Sequence, residues 1–103
     1  MTAVIEITSQ EQFTALTKKR KGVILYGTEW CEACQQIKPI YERIAKRYEG
    51  HILCAYADVE KNGLTFDKVP VLNTYFKGEM LNTMIGANID GLKELIKEVL
   101  EMK

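Results

Sequence analysis

The pair Cys31 and Cys34 constrains this chain more than any other feature, because of where it falls. It follows the apolar run Val23-Ile24-Leu25-Tyr26 and precedes a helical pattern, which sets both sulfurs at a strand–helix junction. At a helix start, positions i and i+3 share a face, so the two sulfurs can meet across a short bridge. The unpaired N–H groups and the positive end of the helix dipole favour negative charge on Cys31, and the thiolate is the nucleophile of disulfide chemistry. A bridge that closes so short a loop removes little entropy from the unfolded chain, so stability is a poor reason for it. A closed zinc site usually takes four Cys or His ligands, and this chain has three cysteines and the single His51 in all. The pattern predicts a dithiol that cycles with a disulfide, no metal, and no cofactor beyond the pair itself.

Size and charge narrow the setting. The 103 residues match one domain, 1–103, with a core that needs no disulfide staples. Fourteen basic and fourteen acidic side chains cancel, so no broad field favours nucleic acid or acidic lipid. The segment from Met1 to Gln10 lacks a long apolar run, and no stretch approaches the roughly 18 apolar residues of a membrane span. The expectation is a soluble, unexported cytoplasmic monomer with no nucleic-acid or membrane partner. A catalytic pair plus one free Cys54 fits a reducing cytosol better than a stapled secreted scaffold.

Along the chain, Val4–Ile7 is a strand candidate. Ser9 with Gln12, or Thr8 with Glu11, makes a capping box for a helix that turns Phe13 and Leu16 inward. The basic run Lys18-Lys19-Arg20-Lys21 and Gly22 suit the end of that helix, the glycine permitting a left-handed exit. Val23–Tyr26 has the continuous apolar character of a strand covered on both faces. Ile37, Ile40, Tyr41, Ile44, Ala45 and Tyr48 keep helical spacing as far as Gly50, with a kink expected at Pro39. Ile52–Ala57 reads as another buried strand, with turns around Lys61-Asn62-Gly63. Val71–Phe76 and Met80–Ile85 flank Lys77-Gly78-Glu79 as a hairpin, and Asn88 caps a last helix carrying Leu92, Leu95, Ile96, Val99 and Leu100. The order β-α-β-α-β, short link, β-β-α predicts an α/β fold with a mixed sheet between helices. Cys54 reads as a small buried hydrophobe, His51 as a surface residue, and Asn73 as a polar group needing partners within an apolar strand.

With that order in place, the chain resembles the thioredoxin family over nearly its whole length. The resemblance rests on Glu29-Trp30-Cys31-x-x-Cys34, Pro39 five residues on, Val69-Pro70 before a strand, Lys77-Gly78-Glu79 at a hairpin, and Gly86 before the last helix. It implies the thioredoxin fold and a protein-disulfide reductase that acts on disulfide-containing proteins and is recharged by a thioredoxin-reductase-type donor. Cys31 would attack a target disulfide, and Cys34 would resolve the mixed disulfide. Trp30, Val69, Pro70, Gly86 and Ala87 would form the target groove, with the Val69–Pro70 bond cis.

Departures from the family pattern also carry expectations. Glu32-Ala33 stands between the cysteines where Gly-Pro is usual, so Glu32, with Glu29 nearby, would tune the pair: toward a reducing protein if Glu32 points at the sulfur, and little if it points to solvent. The family's buried acid aligns with Leu25 and its partner lysine with Tyr56, leaving Cys34 to lose its proton to water, to Glu29 or Glu32, or to the departing thiolate. The second family tryptophan aligns with Gly27, which is expected to open space. The link from Asp58 to Pro70 is short, implying one shortened helix. A glutaredoxin-like, glutathione-linked oxidoreductase and a non-catalytic binding module on the same scaffold are the alternative functions.

Overall fold

The computed structural model describes residues 3–18 and 21–102. Chain order is β1 (Ile5–Ile7), α1 (Gln10–Thr17), β2 (Lys21–Gly27), α2 (Glu32–Arg47), β3 (Leu53–Asp58), β4 (Val71–Phe76), β5 (Glu79–Ile85) and α3 (Ile89–Glu101). The sheet runs β1-β3-β2-β4-β5, parallel among β1, β3 and β2 and antiparallel from β2 through β4 to β5. Residues 22–27 of β2 are buried throughout, as a central strand covered on both faces must be.

On one face, Leu25, Tyr56 and Leu72 pack with Ile37 and Tyr41 of α2 and with Leu92, Ile96 and Val99 of α3. On the other, Ile7, Ile24, Tyr26, Val71 and Tyr75 meet Phe13 and Leu16 of α1. The Tyr41 hydroxyl, deep in the first layer, donates to the Ala55 carbonyl at 2.7 Å. Cys54 belongs to the same layer at 2% exposure, and burial pushes its thiol up to about 12. His51 is exposed and Asn73 accepts from the Thr83 hydroxyl across the hairpin at 2.9 Å.

Local chemistry explains the boundaries. Ser9 caps α1, its hydroxyl accepting the Gln12 N–H at 3.2 Å. Gln12 reaches back one residue further than a standard capping box, to the Thr8 N–H at 2.8 Å. Helix α1 ends at Thr17 with Lys18 as its cap in helical conformation. The expected glycine exit is therefore corrected: Gly22 has no positive φ, because it is already paired with Leu53 and Tyr75 inside β2. Lys19 and Arg20 lie outside the described residues. The Lys21 ammonium instead donates to the Leu100 carbonyl at 2.7 Å, so this cation serves the negative end of α3. Helix α2 runs through Pro39, and Gly50 follows it with φ +90°. In the hairpin Lys77 and Gly78 both have positive φ, the two-residue turn whose twist suits an antiparallel pair, and β5 starts at Glu79.

Between β3 and β4 the shortened helix is no helix at all: residues 59–70 form turns and irregular chain. Asp58 Oδ1 accepts the Lys61 N–H at 3.0 Å, Gly63 takes φ +65°, and the Leu64 N–H returns to the Val59 carbonyl. The chain doubles back before helical bonds can accumulate, and the residue before Pro70 is biased toward extended backbone. Phe66 fills part of that face, its ring 4.9 Å from that of Tyr26. Among the described residues no helix is long and apolar enough to cross a membrane.

Candidate active site

The loop Thr28–Trp30 joins the end of β2 to α2 and delivers both cysteines to the carboxyl end of the parallel strands. Cys31 is the N-cap of α2, and its Sγ accepts the Cys34 N–H at 3.2 Å. The sulfur occupies the place of a capping oxygen and takes one of the donors a helix start leaves unpaired. Cys34, one turn in, is fully buried; both thiols are free. Burial, then the neighbouring Cys31, pushes the Cys34 thiol up to about 12. One sulfur is reachable and held by a backbone donor, the other sheltered and neutral. Gln35 ties the loop to the helix by donating to the Thr28 carbonyl at 2.9 Å.

The second wall comes from the start of β4. The Val69–Pro70 bond is cis, and Cys31 Sγ lies 3.8 Å from the Val69 carbonyl oxygen. Pro70 is buried, and its carbonyl accepts the Gly86 N–H at 2.8 Å. Gly86 has φ +95°, which an L side chain rarely adopts; Ala87 follows it, exposed. Trp30 stands 72% exposed, its indole N–H donating to the Glu60 carboxylate. Trp30 and Val69 line a cavity of about 220 Å³ that also takes in Val59, Leu64 and Phe66. The structure thus brings Val69 against Cys31, with Trp30 next to that cysteine in the chain and Gly86 tied to Pro70; Ala87 is joined to them only through Gly86. Glu29 forms an exposed ion pair with Lys61 at 2.8 Å, and Glu32 is exposed on the first turn of α2. Any tuning by these two acids acts through solvent, where screening weakens it.

Leu25 and Tyr56, where the family's buried pair aligns, sit side by side in the β2–β3 register. Leu25 is fully buried and Tyr56 is 5% exposed. The space expected at Gly27 is filled: a Cβ there would lie 2.9 Å from Tyr56 Oη and 3.0 Å from Cys34 Sγ. A side chain at 27 would strike both.

The Thioredoxin family model matches residues 3–98. The chain belongs to the thioredoxin family. It is 31% identical over 98 residues to thioredoxin 1 of Plasmodium falciparum, covering 89% of this chain and 93% of that protein. A thioredoxin from Streptomyces clavuligerus is 32% identical over 94 residues, covering 84% and 87%. The solved structure of Plasmodium falciparum thioredoxin superposes with a TM-score of 0.85 at 28% identity, covering 92% of this chain and 98% of that one. A mitochondrial thioredoxin 3 from Saccharomyces cerevisiae, at 22% identity and TM-score 0.83 over 93% and 95%, shares the fold.

The chain is accordingly a thiol–disulfide oxidoreductase with a thioredoxin fold, and its family works on disulfide-containing substrates with a reductase partner. Sequence reasoning missed three parts of this thioredoxin site. Glu60 holds the Trp30 indole, and nothing but its place just after β3 could have pointed to it. Gln35 carried no signal. Tyr56 did: opposite a strand that ends in glycine, a long aromatic has room to reach the helix start.

Proposed function

We propose that this thioredoxin reduces protein disulfides in the cytoplasm, contributing to electron transport and redox homeostasis, with Cys31 as attacking thiol and Cys34 as resolving thiol. The asymmetry of the two sulfurs carries this reading. The half-exposed Cys31 has a backbone N–H aimed at it, while Cys34 is inaccessible to a protein target. Trp30, Val69, Pro70, Gly86 and Ala87 form the surface on which an extended target segment lies, the Val69 carbonyl being close to the reacting sulfur. A thioredoxin-reductase-type donor returns the disulfide to the dithiol; no bound cofactor or metal takes part. Glu32 and Glu60 bring negative charge to the rim and Glu29 is already paired with Lys61, a setting that disfavours the carboxylates of glutathione and so a glutaredoxin-like role. Reduction of insulin separates a reductase from a mere binding module. Cys34→Ser should accumulate a mixed disulfide through Cys31; brief alkylation of reduced protein that labels Cys34 or Cys54 ahead of Cys31 would overturn the assignment.

A further inference from the structure

Gly27 marks a point that two reactive groups share. Tyr56 Oη and Cys34 Sγ lie 2.9 and 3.0 Å from where its Cβ would be, so no more than about 6 Å separates them, a span closed by a small side-chain rotation or one bridging water. The phenol is well held. Tyr56 lies within β3, paired with Leu25, and the Lys38 ammonium of α2 sits 4.2 Å from its ring centroid. Leu25, the position aligned with the family's buried acid, carries no polar atom. The groups bearing on Cys34 and the phenol are Cys31 at the start of α2, Lys38 further along it, Asp58 on β3 and Glu6 on β1.

Resting on the exchange mechanism above, we propose that the Tyr56 hydroxyl stabilises the Cys34 thiolate during resolution, donating a hydrogen bond to the sulfur as its proton departs. Cys34 S–H gives its proton to water. The thiolate electron pair forms the new bond to Cys31 Sγ, the bond from Cys31 to the target sulfur breaks, and the target sulfur leaves with the two electrons of that broken bond and takes a proton from water. The Cys31–Cys34 dithiol is oxidised to a disulfide and the target is reduced. The tyrosine proton stays on its oxygen throughout. Burial, then the charges of Cys34, Asp58, Cys31 and Glu6, hold Tyr56 up to about 12, so at working pH it donates and does not act as a base. Gly27 is the condition for this contact, since any side chain there would drive between phenol and thiol.

The test is stopped-flow reduction of a fluorescent peptide disulfide by the reduced protein, from pH 6 to 10, resolving formation of the Cys31 adduct from release. Tyr56→Phe keeps the ring and should leave adduct formation unchanged. Release should slow about tenfold, so that the variant reaches a given release rate about one pH unit higher, as expected for losing a hydrogen bond to a charged sulfur. Placing 3-fluorotyrosine at position 56, a stronger donor of the same shape, should move release the other way. A merely structural role for the ring moves neither the release profile nor its sign. Superimposed release profiles across the three proteins overturn the role of Tyr56. Failure of all three to form a Cys31 adduct overturns the exchange reading itself.

Discussion

Replacing Leu25 by Asp measures how closed the layer beneath the cysteines is. Leu25 is fully buried among Ile37, Tyr41, Tyr56 and Leu72. Losing its side chain costs about 2–5 kcal/mol, the range for large-to-small changes in cores. The carboxyl adds a second cost that depends on pH. In the unfolded chain it ionises near a pKa of about 3.9, whereas burial opposes the charge and raises the folded-state value by about 3 units. A group whose folded value is raised loses stability as pH climbs from the unfolded value to the folded one, and the loss then levels. Three units correspond to about 4 kcal/mol. At pH 4 only the packing loss remains; at pH 7.5 the total is about 6–9 kcal/mol, against a whole-domain stability of about 5–15 kcal/mol.

Urea unfolding of the reduced protein between pH 4 and 8 reads this directly, with Leu25→Asn as the variant of like shape that cannot ionise. The two variants should match near pH 4 and separate by about 4 kcal/mol at neutrality. Where folded protein persists above the raised value, an ionised carboxylate stands at the position aligned with the family's buried acid, and release of target should speed up only there. Parallel stability curves for the two variants would refute the reasoning. They would mean that water, or the Lys38 ammonium already lying over Tyr56, reaches position 25 and pairs with the charge.

Two smaller perturbations check the surroundings. Glu32→Gln removes an exposed charge worth at most about 1 kcal/mol, so the reduction potential measured against glutathione should move by less than about 20 mV; a larger shift would place the carboxylate against the sulfur. Asn88→Ala removes the cap that accepts the Gly91 N–H at 2.9 Å and should cost about 1 kcal/mol, lowering the melting temperature by about 4–8 °C with no change in adduct formation.

Much of the architecture was legible because it rests on short-range rules. The apolar run of β2, the helical spacing from Ile37 to Tyr48, the Lys77-Gly78 turn and the Asn88 cap each depend on residues within a few positions of one another. The errors came where partners are distant. The run around Lys21 looked like the end of α1, but the pairing of Gly22 with both β3 and β4 claims it for the sheet, and Leu100 receives the lysine. The 59–70 link looked like a trimmed helix, but Asn62 donates to the Ile7 and Asp58 carbonyls, and those tethers hold a turn in place.

The cysteines were legible for the same short-range reason, whereas the group facing Cys34 was not. Alignment with the family registers Tyr56 as a lost lysine and Gly27 as a lost tryptophan, two unrelated deletions. In three dimensions they are one change, since the absent Cβ at 27 is the room that the phenol and Cys34 occupy. A charged pair under a disulfide needs solvation or a close partner to remain ionised, and this core, with Leu25 at its centre, offers neither. A phenol is the polar group that tolerates such a layer: its ring packs as a hydrophobe, and its single donor lies within about 6 Å of the sulfur that becomes charged during resolution. On this reading the chain exchanges a base that accepts the Cys34 proton for a donor that steadies the anion left behind, and its rate should follow the availability of that anion as pH rises.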